Sequence, residues 1–494
     1  MQRSLRQGID IEGRLQLLLA GLLGVILGFS FAYVPAVYVA VAVAVIFLVV
    51  LAIRSPQFAV LGILVLLSSV IAEEKLPRIG AGSFKIWITD LLIIGLMALI
   101  VIRLLADRTY KLFRSPVALP LVLFLLWVLL SSLRGYFFLG NSRNDVVIET
   151  RISLYYLTTF CVLYLIRSKP KIQFLLDSFY FLASIAALAM LAQYALGAQV
   201  PFLSSGKIYQ FSEGGAPTVT RVQGTVGEGL VTTAFILKTV TMFIDRLRFR
   251  KVIDLAQWLV IGAGLLTTFN RTHWLMVLIA LLITVALVRR EERRRIILWG
   301  VVVIFLLISV SAFIVLLRPD GEAAQFIYAA AGRFVSVAAG DLYTNERTSS
   351  LLWRNFEYEY GIPQIYKHPL MGLGMGAQYR PVLAVDHKTF EGWTYSHNSN
   401  LWIAMKTGLV GFALYLWFFI AFIWHALMKW RAIPLVSHRG FVLGSALGCL
   451  VILIGANIHP FGMQLEWVPV ISVIIGLSEA IIYSYRARKE GNVV

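Results

Sequence analysis

The chain has 494 residues, of which 59% are hydrophobic and 14% charged, so the balance of an ordinary soluble domain is missing. Its formal charge of +18 does not point to nucleic acid, because lysine and arginine gather in short segments between apolar runs, where they report membrane orientation. The cysteines, Cys161 and Cys449, both lie inside apolar runs, which argues against a structural disulfide or a cysteine metal site.

A spanning helix needs about 20 apolar residues. In chain order such runs fall at 15–33, 36–53, 57–72, 87–105, 117–137, 150–167, 174–196, 225–244, 253–269, 272–288, 296–317, 398–428, 440–458 and 465–483. The first is followed at once by the second and has no convincing cleavage site, so it is expected to stay in the mature protein. Basic residues cluster in alternate connections, at 103–114, 167–171, 246–251, 289–295, 429–439 and 486–489, which predicts that these connections and both termini are cytoplasmic. The fold class expected is an all-α polytopic membrane protein of about 12–14 transmembrane helices. It forms a single transmembrane domain over 1–494. The opposite side receives the long connections, the largest at 318–397. Within it, AAQFIYAAAGRFVSVAAG predicts a helix along the membrane surface and TSSLLWRNFEYEYGI a second, which Pro363 should end.

Few polar groups lie near that outer surface. Arg221 immediately precedes a span in RVQGTVGEGL, Arg271 sits in the very short turn TFNRTHW, and Arg347 lies in TNERTSS. Taken singly, each arginine reads as a headgroup anchor or a helix cap. Together, their planar forks would suit a diphosphate. His397 and Asn398 close the large loop at the start of a span, where an isolated histidine is more often a hydrogen-bonded surface residue and an asparagine most often a helix cap. Gly408 and Gly411 read as a surface for close approach of a neighbouring helix. HPLMGLGMG has no strand before it and reads as a tight turn, not a nucleotide loop. Glu357 and Glu359 are two apart, would face different directions on a helix, and support no metal site. Two lysines fall inside apolar runs: Lys238 is expected to snorkel, and Lys406, if the helix is continuous, to occupy the face opposite His397.

His397-Asn398, nine residues, Gly408, two residues and Gly411 resemble the H-[NSQ]-x9-G-x-x-G signature of the O-antigen ligase and O-antigen polymerase superfamily. HPLMGLGMG is similar to that family's P-x-x-G-x-G element, Arg347 and Trp353 to the arginine and tryptophan before it, and Arg221 and Arg271 to its membrane-proximal arginine elements. Lys406 departs from the acidic residue often found there. The resemblance implies a C-type glycosyltransferase-like fold in the bacterial inner membrane, with 318–397 as a large helical periplasmic loop carrying the active site. It implies a metal-independent, inverting transfer of a glycan from undecaprenyl diphosphate, without cofactor, to lipid A core (a ligase) or to a second lipid-linked glycan (a polymerase). Membrane lipids are the remaining partners. His397 is the expected base, Arg221 and Arg271 the expected catalytic cations, and Arg347 and Asn398 the expected substrate contacts. A polysaccharide lipid transporter is the alternative from another class and would show repeated halves and polar groups at the midplane. A structural assembly protein would not need the arginine and histidine set.

Overall fold

The computed structural model describes residues 54–68, 70, 78–79, 86–106, 113, 115–197, 207–211, 219–223, 227–245, 252–338, 350–381, 383–385, 388–390 and 394–489. The expected spans at 15–33 and 36–53 lie outside these residues, as does Arg347. Each of the other expected spans falls on a helix. In chain order these are α1 (Pro56–Leu67), α2 (Ile88–Ala106), α3 (Ala118–Phe137), α4 (Arg143–Leu154) continuing through one 3-10 turn into α5 (Thr158–Leu165), and α6 (Lys169–Leu196). They continue with α7 (Glu228–Ile244), α8 (Val252–Thr267), α9 (Arg271–Leu287) and α10 (Arg290–Leu317). After α11 (Glu322–Ala338) and α12 (Ser350–Lys367), the helices of the large loop, come α13 (Ser399–Lys429), α14 (Val436–Gly455) and α15 (Val468–Lys489). The strands among the described residues form three antiparallel hairpins: Arg78–Ile79 with Ile86–Trp87, Lys207–Phe211 with Val219–Gln223, and Leu383–Val385 with Lys388–Phe390. Eight of the described helical stretches are long and apolar enough to cross a membrane, so the chain is a predominantly helical polytopic membrane protein.

Burial separates the helices. In α14 and α15, 78% and 83% of the apolar window is covered by other helices, and small residues explain how α14 packs so closely. A side chain at Gly440 would meet the backbone of Thr241, and one at Gly444 the backbone of Leu237, so α14 lies directly on α7. None of the apolar window of α10 is buried. A helix exposing leucine, isoleucine and phenylalanine all round is stable only where hydrocarbon is the solvent. Cys161 and Cys449 are buried and free, filling space in α5 and α14.

Three local expectations are corrected. Pro363 does not end its helix, which runs on to Lys367. The proline removes only the bond to the Glu359 carbonyl, and Glu359, Ile362 and Pro363 are exposed, on a face where that carbonyl can be solvated. Lys238 does not snorkel alone but binds Asp254 of α8 at 2.6 Å and Gln257 at 3.0 Å. Gly408 is not simply a contact surface: at φ 72° and ψ 178° it breaks α13.

The break is filled by the glycine loop. Gly372, Gly374 and Gly376 all have positive φ, of 65°, 80° and 75°, a backbone path that side chains oppose. This path brings Leu373 N to Met405 O at 2.7 Å and Gly374 N to Lys406 O at 3.0 Å, while Leu409 N donates to Pro369 O at 2.7 Å. Ser131 and Trp127 of α3 supply further donors, to Lys406 O at 2.9 Å and Thr407 O at 2.8 Å. Carbonyls freed by a broken helix inside a membrane must find such partners. Below the loop, Lys406 is fully buried and pairs with Glu149 of α4 at 2.8 Å. Its ammonium also donates to Ala377 O, and the other Glu149 oxygen accepts from Gly376 N. Arg134 donates to Gly372 O at 2.8 Å and Asn141 to Met375 O at 2.9 Å. The segment leading toward His397 is thus fastened to α3, α4 and α13 together.

Candidate active site

Asn398 is the N-cap of α13: its side-chain oxygen accepts from Leu401 N at 2.8 Å, satisfying one of the helix's unpaired N–H groups. Its amide nitrogen donates to Tyr358 Oη at 2.9 Å, and Tyr358 donates in turn to Asn457 O at 3.2 Å. Asn398 is buried, so the cap ties α13 to α12 and to the turn between α14 and α15.

His397, one residue earlier, is held by α12. Glu357 is 2% exposed, and three donors converge on its carboxylate: His397 Nδ1 at 2.7 Å, His397 N at 2.8 Å and Ser396 Oγ at 3.0 Å. With Nδ1–H directed at the carboxylate, the neutral ring carries its lone pair on Nε2. The side chain of His397 is 32% exposed, whereas Glu357 is sealed. Tyr395 packs edge-on at 5.2 Å between ring centroids and so fixes the plane of the imidazole.

The groups around this pair are donors. Burial pushes the Tyr379 phenol up to about 12, with the Glu357 charge adding to the effect, and the same two causes raise Tyr395. Neither phenol is available as a base near neutral pH. Tyr379 donates to Tyr395 O at 2.9 Å, and Arg380 Nε donates to Tyr379 Oη at 3.3 Å. Arg354, on the same face of α12 as Glu357, has its pKa lowered by burial, an effect opposed by the Glu357 carboxylate.

A second polar cluster lies at the start of α9, where Arg271 stands. Asn270 caps α9 by accepting from Thr272 N, so Arg271 occupies the first helical position. Phe269, just before the cap, takes φ 46°, a conformation rare for a bulky residue. Its ring is braced by Phe326 of α11 at 5.1 Å and by Trp274 at 6.3 Å. One residue beyond Arg271 and Thr272, His273 is fully buried, 4.0 Å from Glu228 at the start of α7 and within 5.6 Å of the His459 ring. Arg221 lies in the second strand of its hairpin, opposite Tyr209, and that strand leads toward α7.

The turn at 456–467 joins the two clusters. Ser399 Oγ donates toward His459 O at 3.4 Å and accepts from Gly462 N at 3.2 Å. Across the turn, the His273 ring lies 5.4 Å from Trp467, against which Gly229 of α7 also packs. The N-terminal turns of α7, α9 and α13 therefore meet at one end of the bundle. The positive ends of three helix dipoles face that end, a setting that favours anions.

Glu228, His273 and His459 are not among the site residues expected from the sequence, and Glu357 enters there only as an unsupported metal ligand. For Glu357 a signal existed. Arg354, Glu357 and Tyr358 are spaced i, i+3, i+4 and share a helix face, whereas the comparison of Glu357 with Glu359 set it aside. Among the described residues there is no cluster of three or more histidine, cysteine or acidic side chains suited to a metal. No curated protein matches the chain. Residues 256–416 match the family model described as O-antigen ligase, a stretch that runs from α8 through α13 and contains Arg271, Glu357, His397 and Gly408.

Proposed function

We propose, from the premise that the chain belongs to the O-antigen ligase superfamily, that it transfers a glycan from undecaprenyl diphosphate to an acceptor hydroxyl at the periplasmic face of the bacterial inner membrane. The observation that carries this reading is the Glu357–His397 pair, a sealed carboxylate holding a histidine whose side chain is 32% exposed. A base within hydrogen-bond reach of the acceptor is what such a transfer requires.

In this mechanism the acceptor hydroxyl gives its proton to His397 Nε2 as its oxygen attacks the anomeric carbon. The bond from that carbon to the diphosphate oxygen breaks, its electrons leave with undecaprenyl diphosphate, and the configuration inverts. Glu357 holds the ring's tautomer and offers a counter-charge to the proton taken up. Arg271 and Arg221, with Arg347 as a third cation, stabilise the charge developing on the diphosphate, where fixed cations lower the barrier more than they stabilise the ground state. Asn398 contributes by fixing the start of α13 beside the acceptor. The transfer needs no metal or cofactor on this reading. The match to a family described as O-antigen ligase supports the ligase reading over the polymerase, and the acceptor proposed is then lipid A core.

The test is reconstitution of the purified protein with undecaprenyl-diphosphate glycan and each acceptor in turn. A single-step product on lipid A core is expected. A ladder of lengthening lipid-linked glycan would make the protein a polymerase instead, and no transfer to either acceptor would overturn the reading.

A further inference from the structure

At the end of the bundle opposite His397, the helices close on a cavity of about 300 Å³. Its walls carry three arginines, Arg289, Arg431 and Arg439, with Asp245, Glu292 and Trp430. The cavity stands where α7, α9 and α13 end and where α10 and α14 begin, so it is a helix length from the candidate active site. The 17 residues of α9 alone span about 25 Å.

The charges in this cavity are unevenly satisfied. Glu292 accepts from Arg289 N at 3.2 Å as part of the start of α10, and Arg431 donates one N–H to Leu287 O at 2.9 Å while lying 5.2 Å over the Trp430 ring. Arg439 Nε is shut off from solvent and donates to no acceptor among the described residues. A buried guanidinium donor without an acceptor is costly, and a bound anion would remove that cost. The N-termini of α10 and α14 open onto the same space, but so do the C-termini of α7, α9 and α13, so the helix dipoles offset one another and the pull on an anion rests on the three guanidiniums. Trp430 places an aromatic body beside the arginines, as at a membrane–water boundary.

We propose that this cavity binds a phosphate group, supplied by the headgroup of an anionic membrane phospholipid. Forked guanidiniums match phosphate oxygens, and basic pockets between helix ends are suited to anionic headgroups. Such a ligand would pin α7, α9, α13 and α14 together at the end away from the chemistry.

The experiment is native mass spectrometry of the full-length protein in detergent, titrated separately with phosphatidylglycerol, phosphatidylcholine and inorganic phosphate. Wild-type protein should retain phosphatidylglycerol in preference to phosphatidylcholine. Arg439→Gln and Arg431→Gln should each weaken that retention roughly fivefold, the factor equivalent to about 1 kcal/mol per arginine at a membrane surface. Arg290→Gln removes an exposed arginine that does not line the cavity and should change nothing. Competition by millimolar inorganic phosphate would keep the cavity as a phosphate site but overturn the lipid as its source. Equal retention of the two lipids by wild-type protein would overturn the site without reference to any variant. So would a loss in Arg290→Gln as large as that in Arg439→Gln, since binding would then be general surface attraction.

Discussion

Two pairs, each a carboxylate with a nitrogen partner, meet α13 near its start, nine residues apart, and they differ in exposure as well as in the partner, an imidazole in one and an ammonium in the other. Glu357–His397 leaves its base 32% exposed, whereas in Glu149–Lys406 the lysine is 0% and the glutamate 9% exposed. In the proposed mechanism the partly exposed pair exchanges a proton with the acceptor. The sealed pair has no route to it, and its remaining hydrogen bonds go to the backbone of the glycine loop at Gly376 and Ala377. A buried carboxylate thus serves two ends: partial exposure of an imidazole makes the first pair a candidate for catalysis, while enclosure of an ammonium makes the second a clasp. The clasp holds the loop that fills the break at Gly408, and the loop leads to Tyr379, Tyr395 and His397.

The largest effect should come from opening the clasp. Lys406→Met leaves Glu149 buried without its cation, a change expected to cost about 3–5 kcal/mol of stability. Thermal unfolding in detergent should show it as a large fall in Tm. The double variant Glu149→Leu with Lys406→Met should recover much of the loss, because no buried charge is then stranded. An unchanged Tm in the single variant would end the distinction between the two pairs.

Breaking the partly exposed pair should act on rate instead. His397→Ala is expected to reduce turnover about 10²–10⁴-fold while leaving donor binding and Tm near the wild-type values. Glu357→Gln should give a smaller loss, about 10²-fold, expressed in kcat more than in KM, since the ring survives but loses its fixed tautomer. Turnover in either variant that falls only as far as its folded fraction would make the histidine structural. The smallest effect belongs to Arg271→Lys, which keeps the charge but loses the paired donors, and donor affinity should fall roughly tenfold or less. Full affinity and activity there would return Arg271 to the class of headgroup anchors.

Hydropathy and charge made much of the fold legible in advance. A span in hydrocarbon must be apolar and must satisfy its own backbone, so α2, α3, α9 and α13 follow their apolar runs to within a residue or two. The helix in AAQFIYAAAGRFVSVAAG and the start at His397-Asn398 were readable for a similar reason, because periodicity and capping act over neighbouring residues. The partners were not. Glu357 reaches His397 across 40 residues, Glu149 reaches Lys406 across 257, and Ser131 reaches the Lys406 carbonyl across 275. Gly408 shows the division within one residue: as a glycine it permitted either a close helix contact or a left-handed break. The glycine loop, docked where any side chain at Gly408 would collide with Leu370, selected the break. The sequence by itself determined which segments enter the membrane and which residues could carry charge or a proton, since those are properties of single segments. Tertiary structure alone decided which charges are sealed and which stand open, because burial and hydrogen-bond pairing depend on what the rest of the chain brings alongside.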